Sequence, residues 1–391
     1  MMTKRIAVYL NTKSGHGGGF DQAINYLTKI SKNLPEKTEI LIFSRYAWST
    51  PQFEVKTIRL SFLDKFFIFM ATNLLFLWVI KKLSIMSSFE KKLLKENVDI
   101  IYFSTPGIES LAIVNTPVIS TVFDLCHRDV PDAPEVSGFG ESRFRELQYQ
   151  HSLRYSTLVV TDSMLTKDKL KSYYNVDPEK IIIIPFSPSS DLLSLEKEGN
   201  SNDGIEGDYF FYPAQYWPHK NHIVILRALN YLLKNDKISR KVIFTGKDYG
   251  MLNFLREKAV ELQVSEYIEF KRFVETKELL TLYKNCFAVI MPSYFGPTNL
   301  PPLEAFHFGK PLIYTQDFDM DYQACLAIDP DDHITVVKAM LDIENLHLRE
   351  KLISKSKIFL RNQAALTQSN TTLLSFEIQK ILNRNFSNVT K

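Results

Sequence analysis

Short runs of Ile, Val and other apolar residues recur along this 391-residue chain, each followed by a longer amphipathic stretch, and that rhythm leaves few folds open. Six such runs come first, at Arg5–Leu10, Glu39–Phe43, Asp99–Phe103, Val118–Val122, Thr157–Thr161 and Lys180–Pro185. Most are nearly continuous in hydrophobicity. A strand of that composition has both faces covered, as in a parallel sheet flanked by helices. Helical periodicity fills the gaps, for example at Phe20–Leu34 and Glu141–Tyr155. The alternation predicts a doubly wound α/β sheet.

The rhythm stops at Ser187–Asp208, a stretch rich in Ser, Asp, Asn and Gly that reads as a linker. It then restarts, with strands expected at Tyr209–Tyr212, Lys241–Thr245, Tyr267–Lys271, Ala288–Met291, Pro311–Tyr314 and Leu326–Ile328. Helices are expected at Asn221–Lys234, Met251–Leu262, Thr276–Asn285 and Pro301–Phe308. Two α/β domains follow, residues 1–190 and 191–365, with a C-terminal helix in 366–391 crossing back to the first. The stretch Leu346–Asn385 reads as helical, with a polar break near Ala365–Asn370.

Composition narrows the function. Hydrophobic residues at 45% and charged residues at 23% exclude a disordered or collagen-like chain. Lys and Arg number 47 against 44 Asp and Glu, a near balance that argues against a dedicated nucleic-acid binder. Cys126, Cys286 and Cys325 cannot build a disulfide framework, and none sits in a CxxC pair, so no structural zinc is expected. RIAVYL after Lys4 is too short for a secretory core and reads as the first strand, which makes the expected location cytoplasmic. The apolar stretch Phe66–Ile80 is 15 residues long, short of the roughly 20 a spanning helix needs. It suits either a buried or half-buried helix of a soluble domain or an interfacial helix that makes the protein peripheral at the inner face of the cell membrane.

Three segments carry chemistry. Asn11–Phe20, NTKSGHGGGF, lies between a strand and a helix; glycines such as Gly17 and Gly18 let a backbone approach a phosphate or sugar, or simply turn the chain. The spacing misses the dinucleotide fingerprint, because Phe20 stands where its third glycine belongs and no acid follows the second strand. In YPAQYWPHKNH, Tyr212–His222, Lys220 stands at a helix start with Asn221 placed to cap it. Lys220 is either a solvated surface lysine or a diphosphate clamp working with oriented N–H groups. MPSYFGPTNLPPLEAFHFGKPL, Met291–Leu312, runs from a strand through a Gly, Pro, Thr and Asn loop into a helix opened by Pro301 and Pro302. Glu304, expected in the first turn, can complement the helix dipole or accept two ribose hydroxyls.

On these residues the second half resembles glycosyltransferase family 4, retaining nucleotide-sugar enzymes of GT-B fold. The stretches that carry it are YPAQYWPHKNH, VIFTGKD, the run from IEFKRFV to ELLTLYKNC, and MPSYFGPTNLPPLEAFHFGKPLI. The first half is similar more loosely, through its Gly-rich loop, PVISTVFDLCHRDVP, and VVTDSMLTKDKLKSYYNVDPEKIIIIP. The resemblance implies two Rossmann-like domains facing a central cleft, the donor in the second and the acceptor in the first. It gives Lys220 the diphosphate and Glu304 the ribose. Three departures stand out: Gly296 replaces the first of two glutamates eight apart, Gln215 replaces a basic residue, and Phe123-Asp124 replaces His-Asp, with His127 three residues on. The loss of that glutamate implies that the backbone and side chains of Gly296–Asn299 hold the donor sugar instead.

The expected reaction moves a sugar from a nucleotide diphosphate sugar to a hydroxyl of a glycan or lipid-linked acceptor, with retention and without a metal. Lys220, Asp124 and His127 are the catalytic candidates; Glu304, Gly296, Thr298, Asn299, Leu300, Gln215, Gly17 and Gly18 are the donor-binding ones. Surface polysaccharide or lipid-linked oligosaccharide assembly is the expected setting, and a membrane surface is a further partner that Phe66–Ile80 admits. The alternatives are a sugar-nucleotide epimerase of the same fold, or a degenerate domain that binds a glycan or partner without turnover. Asp317, Asp319 and Asp321 imitate a metal-binding D-x-D pair but fall in a loop, and His16 has no second histidine at metal spacing.

Overall fold

The computed structural model describes residues 3–12, 18–34, 37–48, 54–198, 207–296, 298–316 and 323–383. His16, Gly17 and the acids of 317–321 lie outside these. The chain forms two compact units, one built from residues 1–125, 140–185 and 366–391, the other from 126–139 and 186–365.

The first unit holds a seven-stranded parallel sheet: β1 (Lys4–Leu10), β2 (Thr38–Ser44), β3 (Val55–Thr57), β4 (Ile100–Phe103), β5 (Val118–Val122), β6 (Leu158–Thr161) and β7 (Ile181–Ile183). Their order is β3-β2-β1-β4-β5-β6-β7. The central strands are buried along most of their length, which is why their sequences lack alternation. Val55–Thr57 was not anticipated. It is a three-residue edge strand with no buried position, so it carries no hydrophobic run to read.

The second unit repeats the plan with β8 (Tyr209–Pro213), β9 (Lys241–Thr245), β10 (Ile268–Lys271), β11 (Ala288–Met291), β12 (Leu312–Thr315) and β13 (Leu326–Ile328). The order is β10-β9-β8-β11-β12-β13, again all parallel. Its core packs Phe210, Phe211, Val289, Ile290 and Ile313 from the sheet against Leu226, Leu229 and Phe306 from the helices.

Three expectations change. The stretch read as a linker contains a helix, Ser190–Lys197, whose Leu192 is buried in the core of the second unit. Its apolar residues are too few for a visible period, but one of them is fully used. The polar break expected near Ala365–Asn370 is absent: one 38-residue helix runs from Leu346 to Asn383. Its polar residues there are helix-compatible, with Asn370 Nδ2 donating to Ile183 O and Thr371 Oγ1 to Thr367 O. The helix begins in the second unit and ends in the first. Finally, Phe66–Ile80 is not one helix. It is split between Phe62–Ala71 and Leu74–Lys82, where Asn73 Oδ1 caps the second by accepting from Leu75 N and Phe76 N.

Candidate active site

In each sheet the strand order reverses beside the first strand: between β1 and β4 in the first unit, and between β8 and β11 in the second. Connections leave such a pair in opposite directions, so a crevice opens beyond their carboxyl ends.

In the second unit that crevice is lined by the segment after β8 and the loop after β11. Tyr212, on β8, donates from its hydroxyl to Lys220 O at 2.6 Å and so fixes the short turn Pro218–Lys220. Burial pushes the Tyr212 phenol up, so it stays a protonated donor. From this turn Lys220 Nζ crosses to the other loop, donating to Asn299 Oδ1 at 3.1 Å and Ser293 Oγ at 3.4 Å. Asn299 Nδ2 in turn donates to Gly296 O and to Tyr314 Oη, both at 2.8 Å. Lysine and loop thus form one network, with the ammonium held beside the start of the helix Leu300–His307. The His219 ring stacks on Phe295 at 3.9 Å, and Tyr294 N donates to His219 O, which ties the loops together a second time.

Gly296 explains the missing glutamate. Its φ is +105°, and a Cβ there would lie 2.7 Å from Asn299 Nδ2. Only glycine occupies that conformation without strain, so the loop is built for a bare backbone at this position. Asn221 departs from expectation. It stands at φ +53° with no side-chain cap of the helix His222–Lys234, and its Nδ2 donates to Pro330 O instead. Asn tolerates the left-handed region, which lets the chain turn directly from Lys220 into the helix.

Glu304 was expected in the first turn. The helix starts at Leu300, which puts Glu304 in its second turn, facing inward and only 5% exposed. Tyr283 Oη donates to its Oε2 at 2.6 Å, and Ser189 N lies 3.4 Å from its Oε1. Gln215 Oε1 accepts from Trp217 Nε1 at 3.0 Å, and Trp217 stacks on Tyr249 at 3.9 Å between centroids. Thr298 and Leu300 lie on the loop and the first residue of the helix that follows it.

The other candidates are spread more widely. Asp124 follows β5 in the first unit and pairs with Arg145 at 3.4 Å. His127 is buried on the short helix Cys126–Asp129, which belongs to the second unit. Cys126 on that helix packs with Ala133, Val136 and Phe295, so the segment leans on the residue before Gly296. Gly18 opens the helix Gly18–Ser31 in the first unit. The start of the Gly-rich loop is fixed from β4, with Asn11 Nδ2 donating to Pro106 O at 2.8 Å and Thr105 Oγ1 to Asn11 Oδ1 at 3.0 Å. Sequence reasoning missed Ser293, Tyr314 and Tyr283. A serine and two tyrosines carry no pattern, and only the fold brings them together, Ser293 from the loop after β11, Tyr314 from β12 and Tyr283 from the helix Thr276–Asn285. Among the described residues no three His, Cys, Asp or Glu side chains converge as metal ligands.

The two Rossmann-like parallel-sheet units make up the GT-B fold, which the chain shares with solved glycosyltransferases. A glycosyltransferase from Rickettsia africae superposes with a TM-score of 0.67 over 98% of this chain and 99% of that one, at 16% identity. Anabaena Alr3699/HepE, solved with UDP-glucose, gives 0.68 over 95% and 99%, at 14% identity. Residues 197–356 match the family model described as glycosyl transferases group 1, a stretch that holds Lys220, Ser293, Asn299 and Glu304. The O-antigen chain mannosyltransferase RfbU of Salmonella typhimurium is 30% identical over 198 residues, which are 48% of this chain and 51% of that protein. The chain thus spans about half the length of the curated relatives it matches.

Proposed function

We propose that this protein is a retaining glycosyltransferase of family 4 that moves a sugar from a nucleoside diphosphate sugar to a hydroxyl of a growing glycan or lipid-linked acceptor. The observation that carries the reading is the Lys220–Asn299–Ser293 network at the strand-order reversal of the second unit, inside the stretch that matches the group 1 model. An ammonium beside a loop of backbone groups and a helix start stabilises a departing diphosphate, and its effect grows as the glycosidic bond breaks. In this reading the acceptor proton passes to the leaving phosphate oxygen on the same face as attack, with no enzyme nucleophile and no metal. Glu304, oriented by Tyr283, receives the ribose, and the backbone of Gly296 to Leu300 receives the sugar. Asp124 and His127 serve the acceptor side. The RfbU match points to polysaccharide assembly of the O-antigen type.

A panel of nucleoside diphosphate sugars, scored by thermal shift and then by product analysis, tests this. One donor class should raise the midpoint and give transfer to a glycan or lipid-linked acceptor. Lys220→Ala should lower kcat on the order of 100–1000-fold, the usual cost of one transition-state donor, with the apo midpoint nearly unchanged. Epimerisation of the donor without an acceptor, or donor binding untouched by Lys220→Ala, would reject the reading.

A further inference from the structure

The two helices that divide the Phe66–Ile80 stretch are apolar on the outside. In Phe62–Ala71 the inward positions are Asp64, Ile68 and Ala71, while Phe62, Leu63, Phe66 and Phe69 face out, Phe62 at 84% exposure. In Leu74–Lys82 the buried positions are Leu77 and Ile80, while Leu75, Phe76 and Trp78 are exposed, and Leu83 follows just past the end. This inverts the usual amphipathic arrangement, where a carboxylate faces water and phenylalanines face the core. Among the described residues no single helix is long and apolar enough to cross a membrane, and the two are bent by 113° to each other.

The inversion is anchored. Asp64, fully buried, accepts from Ser61 N at 2.8 Å, Ser61 Oγ at 2.7 Å, Ser88 Oγ at 2.7 Å and Phe89 N at 2.8 Å. Burial opposes its ionisation, but these bonds outweigh it and hold the carboxyl below its usual range. Glu90, in the first turn of the helix Ser88–Leu94, similarly accepts from Asn115 N and Thr116 N at 2.9 Å. Asp64 therefore ties the start of the first aromatic helix to the helix Ser88–Leu94, and Glu90 ties that helix to the segment Val114–Thr116.

Charge identifies the occupant. From Ile58 to Met86 the chain carries Arg59, Lys65, Lys81 and Lys82 against one acid, the buried Asp64. Arg59, Lys65 and Lys82 are exposed beside the aromatics. Lys82 Nζ lies 4.7 Å from the Trp78 ring centre, and Lys81 Nζ is drawn back over Tyr155 at 3.3 Å. Outward Phe and Trp rimmed by basic groups, with no exposed acid among them, match the boundary of an anionic bilayer: apolar side chains enter the acyl region and the ammonium groups meet lipid phosphates. We infer that the paired helices Phe62–Ala71 and Leu74–Lys82 are a membrane-docking surface for anionic lipid. The inference rests on this surface alone and holds independently of the sugar-transfer reading.

Co-sedimentation of the full chain with phosphatidylcholine vesicles, with and without phosphatidylglycerol, tests it. The protein should pellet with the anionic vesicles and be released by salt. With Trp48→Phe and Trp217→Phe in place, Trp78 emission should move to shorter wavelength on addition of those vesicles. Phe62→Ser, Phe66→Ser and Phe69→Ser together should weaken partitioning on the order of a hundredfold, and Lys65→Glu with Lys82→Glu should remove the preference for anionic lipid. The positions are exposed, so the thermal midpoint of each variant should stay near wild type. Wild-type protein left in the supernatant with both vesicle types, or pelleting equally with the triple Phe variant, overturns the inference. So does concentration-dependent dimerisation abolished by the same substitutions without vesicle binding, which would assign the face to a second copy.

Discussion

His222 shows how a residue next to the site can control stability. Its ring sits 4.6 Å from that of Tyr212, 5.0 Å from Tyr216 and 5.1 Å from Phe244. Burial, reinforced by the charge of Lys220, pushes its pKa from 6.5 down to about 3. In the unfolded chain the imidazole takes a proton below about pH 6.5, while the folded chain refuses it until about pH 3. The unfolded state therefore binds more protons in that window. Stability is fully present above it and falls as pH drops, by about 1.4 kcal/mol per pH unit from this group. His222→Phe, which keeps an aromatic ring in the cage, should flatten that part of the profile in urea melts between pH 4 and 6.5. At the same scale, Lys220 and Glu304 stood out as candidates because their residue types sit in a specific string. The partners that orient them were not, since Tyr283 lies 21 positions from Glu304 and Asn299 lies 79 from Lys220.

At the scale of elements, strands were read well because burial on both faces leaves a continuous apolar run. Elements stabilised by a few contacts were not: the edge strand Val55–Thr57 and the helix Ser190–Lys197 carry little pattern of their own. The division of the Phe66–Ile80 stretch falls at Thr72 and Asn73, polar residues inside the run, with Asn73 capping the second helix. Of the neighbouring phenylalanines, Phe66 and Phe69 face out while Phe67 packs half-buried against Ala71, Leu77 and Ile80. Asp64→Ala should cost about 2–3 kcal/mol in urea unfolding, since it leaves the Phe89 and Ser61 amides without their charged acceptor. It should also raise hydrogen exchange selectively across Phe62–Leu94, whereas a uniform rise would show that Asp64 does not anchor this region in particular.

The whole molecule depends on the helix Leu346–Asn383. Its Leu352 packs in the core of the second unit, while Leu374, Ile378, Ile381 and Leu382 are buried in the part that belongs to the first. Ending the chain after Ala365 should therefore lower the melting transition of the first unit and leave that of the second close to wild type. Calorimetry should then resolve two transitions where each unit unfolds on its own. A single transition shifted as a whole would instead mean that the units unfold as one.

The sequence by itself determined the class of fold, because periodic burial is a local property that each strand and helix writes into its own residues. It also singled out Lys220, Glu304 and the loop Gly296–Leu300 as candidates, because helix starts and turns restrict residue type locally. Only the tertiary structure decided that strand order reverses between β8 and β11, and so that Lys220 meets Asn299 and Ser293. The same holds for Gly296, which stands at positive φ with the Asn299 side chain packed where a Cβ would lie. It also decided which side of Phe62–Ala71 faces out. Hydrophobicity alone would turn the phenylalanines inward; four hydrogen bonds to a buried Asp64 turn them outward.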